Sequence, residues 1–166
     1  MWNRAFGAAA AAIAILTATP PVAAQGIRFG AGLGPTISLE SGGGTDFHVM
    51  GTAAFGREEG KPVYFRVDGM LQFRTGSNLF IGTGNAVYNF ATAEETRIRP
   101  YVIGGAGIYA DGGTDFGINA GAGATFPLGN TPARLFAEAR FHAIFAEGNT
   151  ITQLPITVGL VFGGGR

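Results

Sequence analysis

The sequence predicts an all-β fold, an eight-stranded antiparallel up-and-down barrel. Three observations support this fold class. Beyond residue 24 no helical apolar period appears, and apolar residues instead recur at every second position. Breaks rich in Gly, Asn and Asp, which are typical of turns, interrupt this alternation. The breaks divide the chain into eight segments of roughly ten residues, and the short gaps between them favour antiparallel neighbours.

The composition narrows the class of protein. The chain has 166 residues, enough for one domain, and a formal net charge of zero, so neither a basic nucleic-acid binder nor an acidic tail is indicated. Only 13% of the residues are charged and 29 are glycine, whereas 46% are hydrophobic, which excludes a disordered linker. Cysteine is absent, which excludes disulfides, thiol nucleophiles and Cys-ligated zinc.

Residues 1–24 have the pattern of a secretory signal peptide. One arginine precedes an uncharged Ala/Ile/Leu run at 5–18, two prolines at 20–21 break the run, and small residues follow at 22–24. The run is too short to span a bilayer as a helix. A buried alanine-rich helix is the alternative, but the prolines and the cleavage-site pattern favour export. We therefore predict cleavage after Ala24 and a barrel domain at 25–166.

The eight segments follow one another with the same two-residue period. They cover residues 27–40, 47–55, 65–74, 80–90, 97–109, 115–126, 134–145 and 153–162. In the first four segments, one face carries apolar or small residues, such as Phe65 and Val67, and the other is mostly polar or small, such as Arg66 and Asp68. The breaks after them lie at 41–45, 56–61, 75–77 and 93–96.

The last four segments keep the alternation with one difference. The fifth and sixth have almost no polar side chains on either face, since residues such as Tyr101 and Ile103 lie opposite an apolar face. In the seventh, Glu138 and Arg140 alternate with alanine and phenylalanine, and the eighth alternates from 153 to Phe162. The breaks between these segments lie at 111–113, 127–132 and 147–149.

Three observations indicate that the apolar face meets lipid. A soluble barrel would expose an apolar face of segments five and six to water. The aromatic residues that bracket the apolar faces are Phe47, Phe55, Phe65, Phe73, Phe80, Phe90, Phe116 and Phe126. A gap of 8–10 residues within each pair spans about 20–25 Å when the strand tilts about 40°, the height of a lipid-facing band. Charges collect on the opposite face. We therefore predict a transmembrane β-barrel in a bacterial outer membrane.

The inward face predicts a lumen filled by side chains. The predicted lumenal polar network consists of Arg66, Asp68, Arg74, Arg99, Glu138, Arg140 and His142. Both charge signs occur, so these groups can pair across a narrow lumen, and an eight-stranded barrel is about wide enough for side chains to fill it. The inward glycines of segments one, five and six leave room for long side chains of segments three and seven. We expect a plugged lumen rather than a porin channel, with structural ion pairing favoured over a lumenal gate.

Four runs carry a family resemblance: RPYVIGGAG at 99–107, GAG at 121–123, FAEARF at 136–141 and PITVGLVF at 155–162. They resemble the small bacterial outer-membrane β-barrel family, which includes the OmpA transmembrane domain and the opacity-type outer-membrane proteins. The last run is similar to the C-terminal strand signal read by the family's insertion machinery, with Thr157, Gly159 and Phe162 in matching places. It departs from the pattern because GGGR follows, so no aromatic residue closes the chain.

The resemblance covers the whole of 25–166 and implies an integral outer-membrane protein. Its implied partners are outer-membrane lipids and, during biogenesis, the barrel-insertion machinery. We expect a monomer that binds no nucleic acid.

Catalytic chemistry finds little support in the sequence. The only histidines, His48 and His142, are predicted to face inward. Some barrels of this size modify outer-membrane lipids, so a histidine with Ser38 or Glu138 has to be considered, but no serine lies close in register to either histidine. Two isolated histidines are too few for a metal site. Glycine runs at 30–34 and 104–107 open no helix and do not indicate nucleotide binding. We expect no enzyme, no catalytic residues and no cofactor or metal.

The expected function is a structural role in the cell envelope. One alternative is a surface-binding, adhesion-type barrel, but the predicted outer loops at 41–45, 75–77, 111–113 and 146–150 are short, taking both termini as periplasmic. A narrow solute channel or a lipid-modifying enzyme is a further alternative. A soluble lipocalin-like binder is the last, and the apolarity of both faces in segments five and six argues against it.

Overall fold

The computed structural model describes residues 27–56, 61–91 and 97–163. In this part of the chain lie eight β-strands: β1 Arg28–Ser38, β2 Thr45–Phe55, β3 Val63–Phe73, β4 Asn78–Asn89, β5 Arg99–Ala110, β6 Thr114–Pro127, β7 Arg134–Ala146 and β8 Asn149–Phe162. No helix within it is long and apolar enough to cross a membrane. The predicted signal peptide, residues 1–24, lies outside the described residues.

The strands form one closed barrel in sequence order, which confirms the predicted up-and-down topology. Each strand pairs antiparallel with the next, as in the β2–β3 ladder from Phe47 opposite Phe73 to Phe55 opposite Phe65. The seam between β1 and β8 closes the ring, with Phe29 opposite Phe162 and Ser38 opposite Gln153. Closure pairs every strand on both sides and leaves no free sheet edge.

β8 extends beyond its alternating segment because the turn that precedes it is tighter than predicted. β8 begins at Asn149, four residues before the segment that alternation marks, because the turn from β7 contains only residues 147–148. Gly148 has a φ of 78°, a conformation that tight hairpin turns often require and that glycine adopts without steric cost.

The two faces of the barrel wall differ as predicted. Seven of the eight bracketing aromatics are 38% to 63% exposed on the outside, and Phe126 also points outward but is half-buried. Two of the outward aromatic pairs stack across neighbouring strands: Phe47 with Phe73 at 6.3 Å between ring centroids, and Phe116 with Phe145 at 6.4 Å. The residues that alternate with this outward face on each strand point inward and are mostly buried.

The two ends of the barrel carry different connections. We call the end at which β1 begins and β8 ends the terminal end, and the opposite end the distal end. The distal connections are short, at 39–44, 74–77, 111–113 and 147–148, whereas those of the terminal end span 56–62, 90–98 and 128–133. Outer-membrane barrels usually combine short periplasmic turns with longer outer loops. This chain therefore has an unusual distribution of loop length if its termini are periplasmic.

Candidate functional site in the barrel lumen

Four charged side chains form one network in the lumen. Arg66 and Asp68 lie two residues apart on β3, and Glu138 and Arg140 lie two residues apart on β7, so each pair points to the same side of its strand. Across the lumen, Arg66 Nη2 lies 2.8 Å from Glu138 Oε1 and Arg140 Nη1 lies 2.9 Å from Asp68 Oδ2. Within the strands, Arg66 Nε lies 2.9 Å from Asp68 Oδ1 and Arg140 Nε 2.8 Å from Glu138 Oε1.

The network is electrically neutral and shielded from water. Its four members are 2% to 6% exposed, and two positive groups face two negative ones. Because β3 and β7 lie four strands apart in a ring of eight, the ion pairs join opposite walls. Charges removed from water cost several kcal/mol each unless they are paired and hydrogen-bonded, and this geometry supplies both.

Neutral side chains add hydrogen bonds to the network. The Tyr101 hydroxyl donates to Glu138 Oε2 at 2.7 Å, and the Asn85 amide donates to Asp68 Oδ2 at 2.9 Å. Neither residue belongs to the network that the sequence predicts. The available signal was their position on the inward face of their strands, since buried tyrosine and asparagine require polar partners.

Glycines on β6 make room for this network. A Cβ at Gly123 would lie 2.6 Å from the Tyr101 hydroxyl oxygen and from the Ala137 carbonyl oxygen, and one at Gly121 would lie 2.7 Å from Arg140 Cγ. Inward glycines therefore do accommodate a long side chain of β7, as the sequence predicts. They also accommodate Tyr101 of β5, which the sequence does not indicate.

Two residues of the predicted network lie outside it. Arg74 follows the last residue of β3 at the distal end, where its Nη1 atom lies 3.3 Å from Asp111 Oδ2. Arg99 is the first residue of β5 and is exposed at the terminal end. Alternation indicates on which face of the wall a side chain lies, but not its position along the barrel axis. Because both arginines lie at strand ends, they are at the mouths of the barrel.

The two histidines are held by hydroxyl groups. His48 is 0% exposed, and its ring nitrogens Nδ1 and Nε2 each lie 2.9 Å from a threonine hydroxyl, of Thr36 and Thr157 respectively. His142 is also 0% exposed, and its Nδ1 lies 2.8 Å from the Tyr109 hydroxyl. In the described part of the chain, neither ring is hydrogen-bonded to Ser38 or Glu138. His142, predicted as part of the network, is therefore buried in the lumen with a different partner.

The lumen also contains apolar layers that the prediction of a polar interior did not include. One buried cluster consists of Met50, Met70, Leu79, Ile81, Tyr109, Phe136 and Ile144. A second consists of Ala54, Tyr64, Val87, Tyr101 and Ile103. These residues occupy inward positions of their strands. Apolar residues at inward positions of the alternating pattern were therefore the sequence signal for these clusters.

No metal site is evident in the ranges 27–56, 61–91 and 97–163, where no three His, Asp or Glu side chains are grouped to hold an ion.

The residues of the predicted insertion signal have defined places on β8. Thr157 and Gly159 face the lumen, where Thr157 contacts His48 and a Cβ at Gly159 would lie 2.6 Å from the Phe136 ring. Phe162 is the last residue of β8, points outward and is 44% exposed.

This architecture defines the class of protein: a transmembrane β-barrel of the outer-membrane type. Its exterior is apolar with aromatic residues towards both ends, its wall is closed, and its interior is filled by side chains. Backbone groups in lipid must be satisfied within the wall, which a closed barrel achieves.

Comparison with known proteins supports the same class. No family model matches the chain, and no curated protein matches its sequence. Among solved structures, the chain is similar to the Neisserial surface protein A, with a TM-score of 0.67 and 18% identity over 83% of this chain and 97% of that one. It is also similar to the N-terminal β-barrel domain of Pseudomonas aeruginosa OprF, with a TM-score of 0.57 and 16% identity over 83% and 98%.

A third similar structure is the outer membrane enzyme PagL, with a TM-score of 0.53 and 15% identity over 82% of this chain and 99% of that one. At these identities the likeness concerns the fold. Both a surface protein and an outer membrane enzyme share it, so function has to be argued from the chain's own residues.

Proposed function

We propose that this protein is a non-enzymatic outer-membrane barrel with a structural role in the cell envelope, and that its lumen is a plug. The observation that carries the proposal is the neutral network of Arg66, Asp68, Glu138 and Arg140, which joins opposite walls inside a closed barrel. A lumen braced in this way resists deformation of the barrel wall and offers no wide path for solutes.

Burial in the middle of the lumen supports a plug. Side chains from several strands are at most 3% exposed there, among them His48 of β2, Met70 of β3, Ile81 of β4 and Arg140 of β7. A water-filled channel would give such side chains substantial exposure. The apolar clusters add to the barrier, because a hydrated ion would have to lose water to pass them.

The surroundings of the histidines support a non-enzymatic role. An enzyme acting on membrane lipids needs a reactive group that the lipid can reach. His48 and His142 face the lumen, are fully buried, and have threonine or tyrosine hydroxyls as partners.

The short distal connections argue for a structural rather than an adhesive role. They contain six, four, three and two residues, so little surface is available there for recognising another cell or protein.

We further propose that the barrel acts as a monomer and is assembled by the barrel-insertion machinery. Closure supports the monomer, because no strand edge remains for pairing with a second chain. Phe162 is the last residue of β8 and points outward, which supports recognition of that strand before closure.

Two measurements test the proposed function. In planar bilayers the refolded barrel should show no stable ohmic conductance steps, and such steps would contradict the plug. In the source bacterium, deletion of the gene should increase sensitivity to detergent, and wild type should restore resistance. The variants His48→Asn and His142→Gln should restore it equally if they fold. Loss of rescue by a folded histidine variant, together with altered outer-membrane lipids, would instead indicate an enzyme.

A further inference from the structure

Three arginines converge at the terminal end of the barrel. Arg28, Arg99 and Arg134 are the first residues of β1, β5 and β7, and together they line a cavity of about 200 Å³. Thr131, Pro132, Val161 and Gly163 complete its lining. We call this cavity the arginine mouth. Within the described part of the chain, no carboxylate lines it.

The arginine mouth differs electrostatically from the network in the middle of the lumen. Arg66 and Arg140 each contact two carboxylate groups. Neither Arg28 nor Arg99 lies within ion-pair distance of a carboxylate in the part of the chain that the structure describes. Arg28 instead experiences the like charges of Arg99 and Arg134. The like charges of Arg28 and Arg99 repel each other at this cavity, and an anion between them would remove that repulsion.

The guanidinium group of Arg134 is held in a fixed orientation. Its Nε donates to the Thr125 hydroxyl at 3.2 Å, and its Nη2 donates to the Thr125 carbonyl oxygen at 3.2 Å and to the Arg97 carbonyl oxygen at 2.9 Å. A guanidinium that is already ordered loses less entropy when it binds a ligand. Arg28 and Arg99 supply the additional donors of a convergent site.

The dimensions of the cavity suit a small oxyanion that enters from the mouth. A water molecule occupies about 30 Å³ of liquid, so about 200 Å³ accommodates a tetrahedral anion with part of its hydration shell. A second cavity of about 30 Å³, which shares Arg28 and Arg134, extends towards Arg66 and Tyr101. Beyond it lies the charged network, so the mouth forms a binding site with a closed floor.

The position of the mouth in the membrane indicates the chemistry of the ligand. Phe29 and Phe162, on either side of the seam, are 42% and 44% exposed and point outward at this end, as aromatic residues do near lipid head groups. The distal end carries mainly acidic residues, namely Glu40, Asp46, Asp111, Asp115 and Glu147, together with Arg74. The terminal end contains four acidic residues in its connections, Glu58, Glu59, Glu94 and Glu95, but six basic ones, Arg28, Arg57, Lys61, Arg97, Arg99 and Arg134. An anion is therefore attracted more to the terminal end than to the distal end.

We propose that the arginine mouth binds a phosphate group, supplied either by a phospholipid head group or by free phosphate. Guanidinium groups match phosphate because two parallel N–H donors contact two oxygen atoms. The site is separate from the plug and does not require that the proposed envelope role be correct.

Calorimetric titration of inorganic phosphate into the barrel, refolded in phosphate-free dodecyl maltoside micelles, tests the proposal. We expect saturable binding of one phosphate per barrel. The double variant Arg28→Gln/Arg99→Gln should bind at least about tenfold more weakly, which corresponds to about 1.4 kcal/mol. Arg74→Gln, which removes an arginine at the distal end, is the matched control and should bind as wild type does. Circular dichroism should show that all variants fold.

A second double variant, Arg28→Lys/Arg99→Lys, keeps the charge and removes the paired donors. It should retain part of the binding, and it keeps the test informative if the glutamine variant does not fold. Absence of saturable binding of both phosphate and phospholipid, or binding that Arg28→Gln/Arg99→Gln leaves unchanged, would overturn the proposal. Equal loss in Arg74→Gln would do the same, because it would show a general charge effect.

A second experiment, with a phospholipid in the micelles, distinguishes the two sources of phosphate. Micelles containing phosphatidylglycerol should yield a barrel with one bound lipid by native mass spectrometry if the head group is the ligand, and inorganic phosphate should displace it. Saturable binding of inorganic phosphate that the lipid does not reduce would identify free phosphate as the ligand. Both results support a phosphate site, and each assigns its source.

Discussion

Arg66 and Glu138 lie on opposite walls of the barrel, 72 residues apart in sequence, and are joined by an ion pair of 2.8 Å between Nη2 and Oε1. Each also contacts a second partner of opposite charge on its own strand, Asp68 and Arg140 respectively. A cross-lumen brace of this kind depends on all four members, because removal of one leaves the others buried without full compensation.

Replacement of Arg66 by alanine should therefore strongly destabilise the barrel. We expect the free energy of unfolding to fall by about 3–5 kcal/mol, since Glu138 and Asp68 lose a buried partner. Urea unfolding in lipid vesicles, followed by far-ultraviolet circular dichroism, measures this change.

Arg74→Ala is the matched control for that variant. The ion pair between Arg74 and Asp111 has side chains 24% and 42% exposed, and exposed pairs contribute about 0–1 kcal/mol. Equal effects of the two replacements would contradict a special role for the buried network.

Gly123→Ala should also destabilise the barrel, through steric overlap rather than charge. A Cβ at this position would lie 2.6 Å from the Tyr101 hydroxyl oxygen, so the tyrosine that donates to Glu138 would have to move. We expect a loss of about 1–3 kcal/mol, which is typical of overpacking. The temperature at which the compact band in unboiled gel samples disappears should fall accordingly.

Gly69→Ala provides the comparison for the glycine prediction. Gly69 is exposed on the outer face, and nothing lies within 4 Å of a Cβ built there. This variant should be as stable as wild type or slightly more stable. If Gly123→Ala behaves in the same way, the close packing of Tyr101 is not required.

Much of this architecture follows from local sequence pattern. A period of two specifies which side chains share a face, so the outward position of Phe65 and the inward position of Arg66 were predictable residue by residue. The pairing of Arg66 with Glu138 was not, because it depends on how far the strands are staggered around the ring. Stagger results from ladder registers and turn lengths, which alternation does not specify. The position of a side chain along the barrel axis also depends on this stagger. Alternation therefore did not predict that Arg74 and Arg99 lie at the mouths of the barrel.

The pH dependence of stability should reveal the contact between Glu40 and Thr152 at the distal end. The Glu40 carboxylate accepts hydrogen bonds from the Thr152 hydroxyl and backbone N–H, both at 2.8 Å, and these bonds lower the pKa of Glu40. A lowered pKa in the folded state means that the contribution is complete above the ordinary glutamate pKa of about 4.3 and is lost as the pH falls through the folded value.

Glu40→Gln should therefore be less stable than wild type at pH 7, and the difference should shrink at pH 3. Urea unfolding at the two pH values measures this change. Thr152→Val removes the hydroxyl donor, so it should also reduce the pH dependence of stability. The double variant Glu40→Gln/Thr152→Val should show little further change. A difference between wild type and Glu40→Gln that is independent of pH would rule out the contact as its cause.

Replacement of Phe162 by alanine should slow assembly of the barrel by the insertion machinery more than it lowers stability. Phe162 ends β8 and points outward, where a machine that binds the last strand can reach it before the ring closes.

Phe29→Ala is the matched control, because Phe29 lies opposite Phe162 across the seam and is equally exposed, at 42% against 44%. Both variants should lose similar stability in detergent, since each removes a comparable lipid-facing aromatic side chain. In proteoliposomes containing the insertion machinery, only Phe162→Ala should fold several-fold more slowly. Equal slowing of both would assign the effect to the aromatic surface at the seam and reject the strand signal.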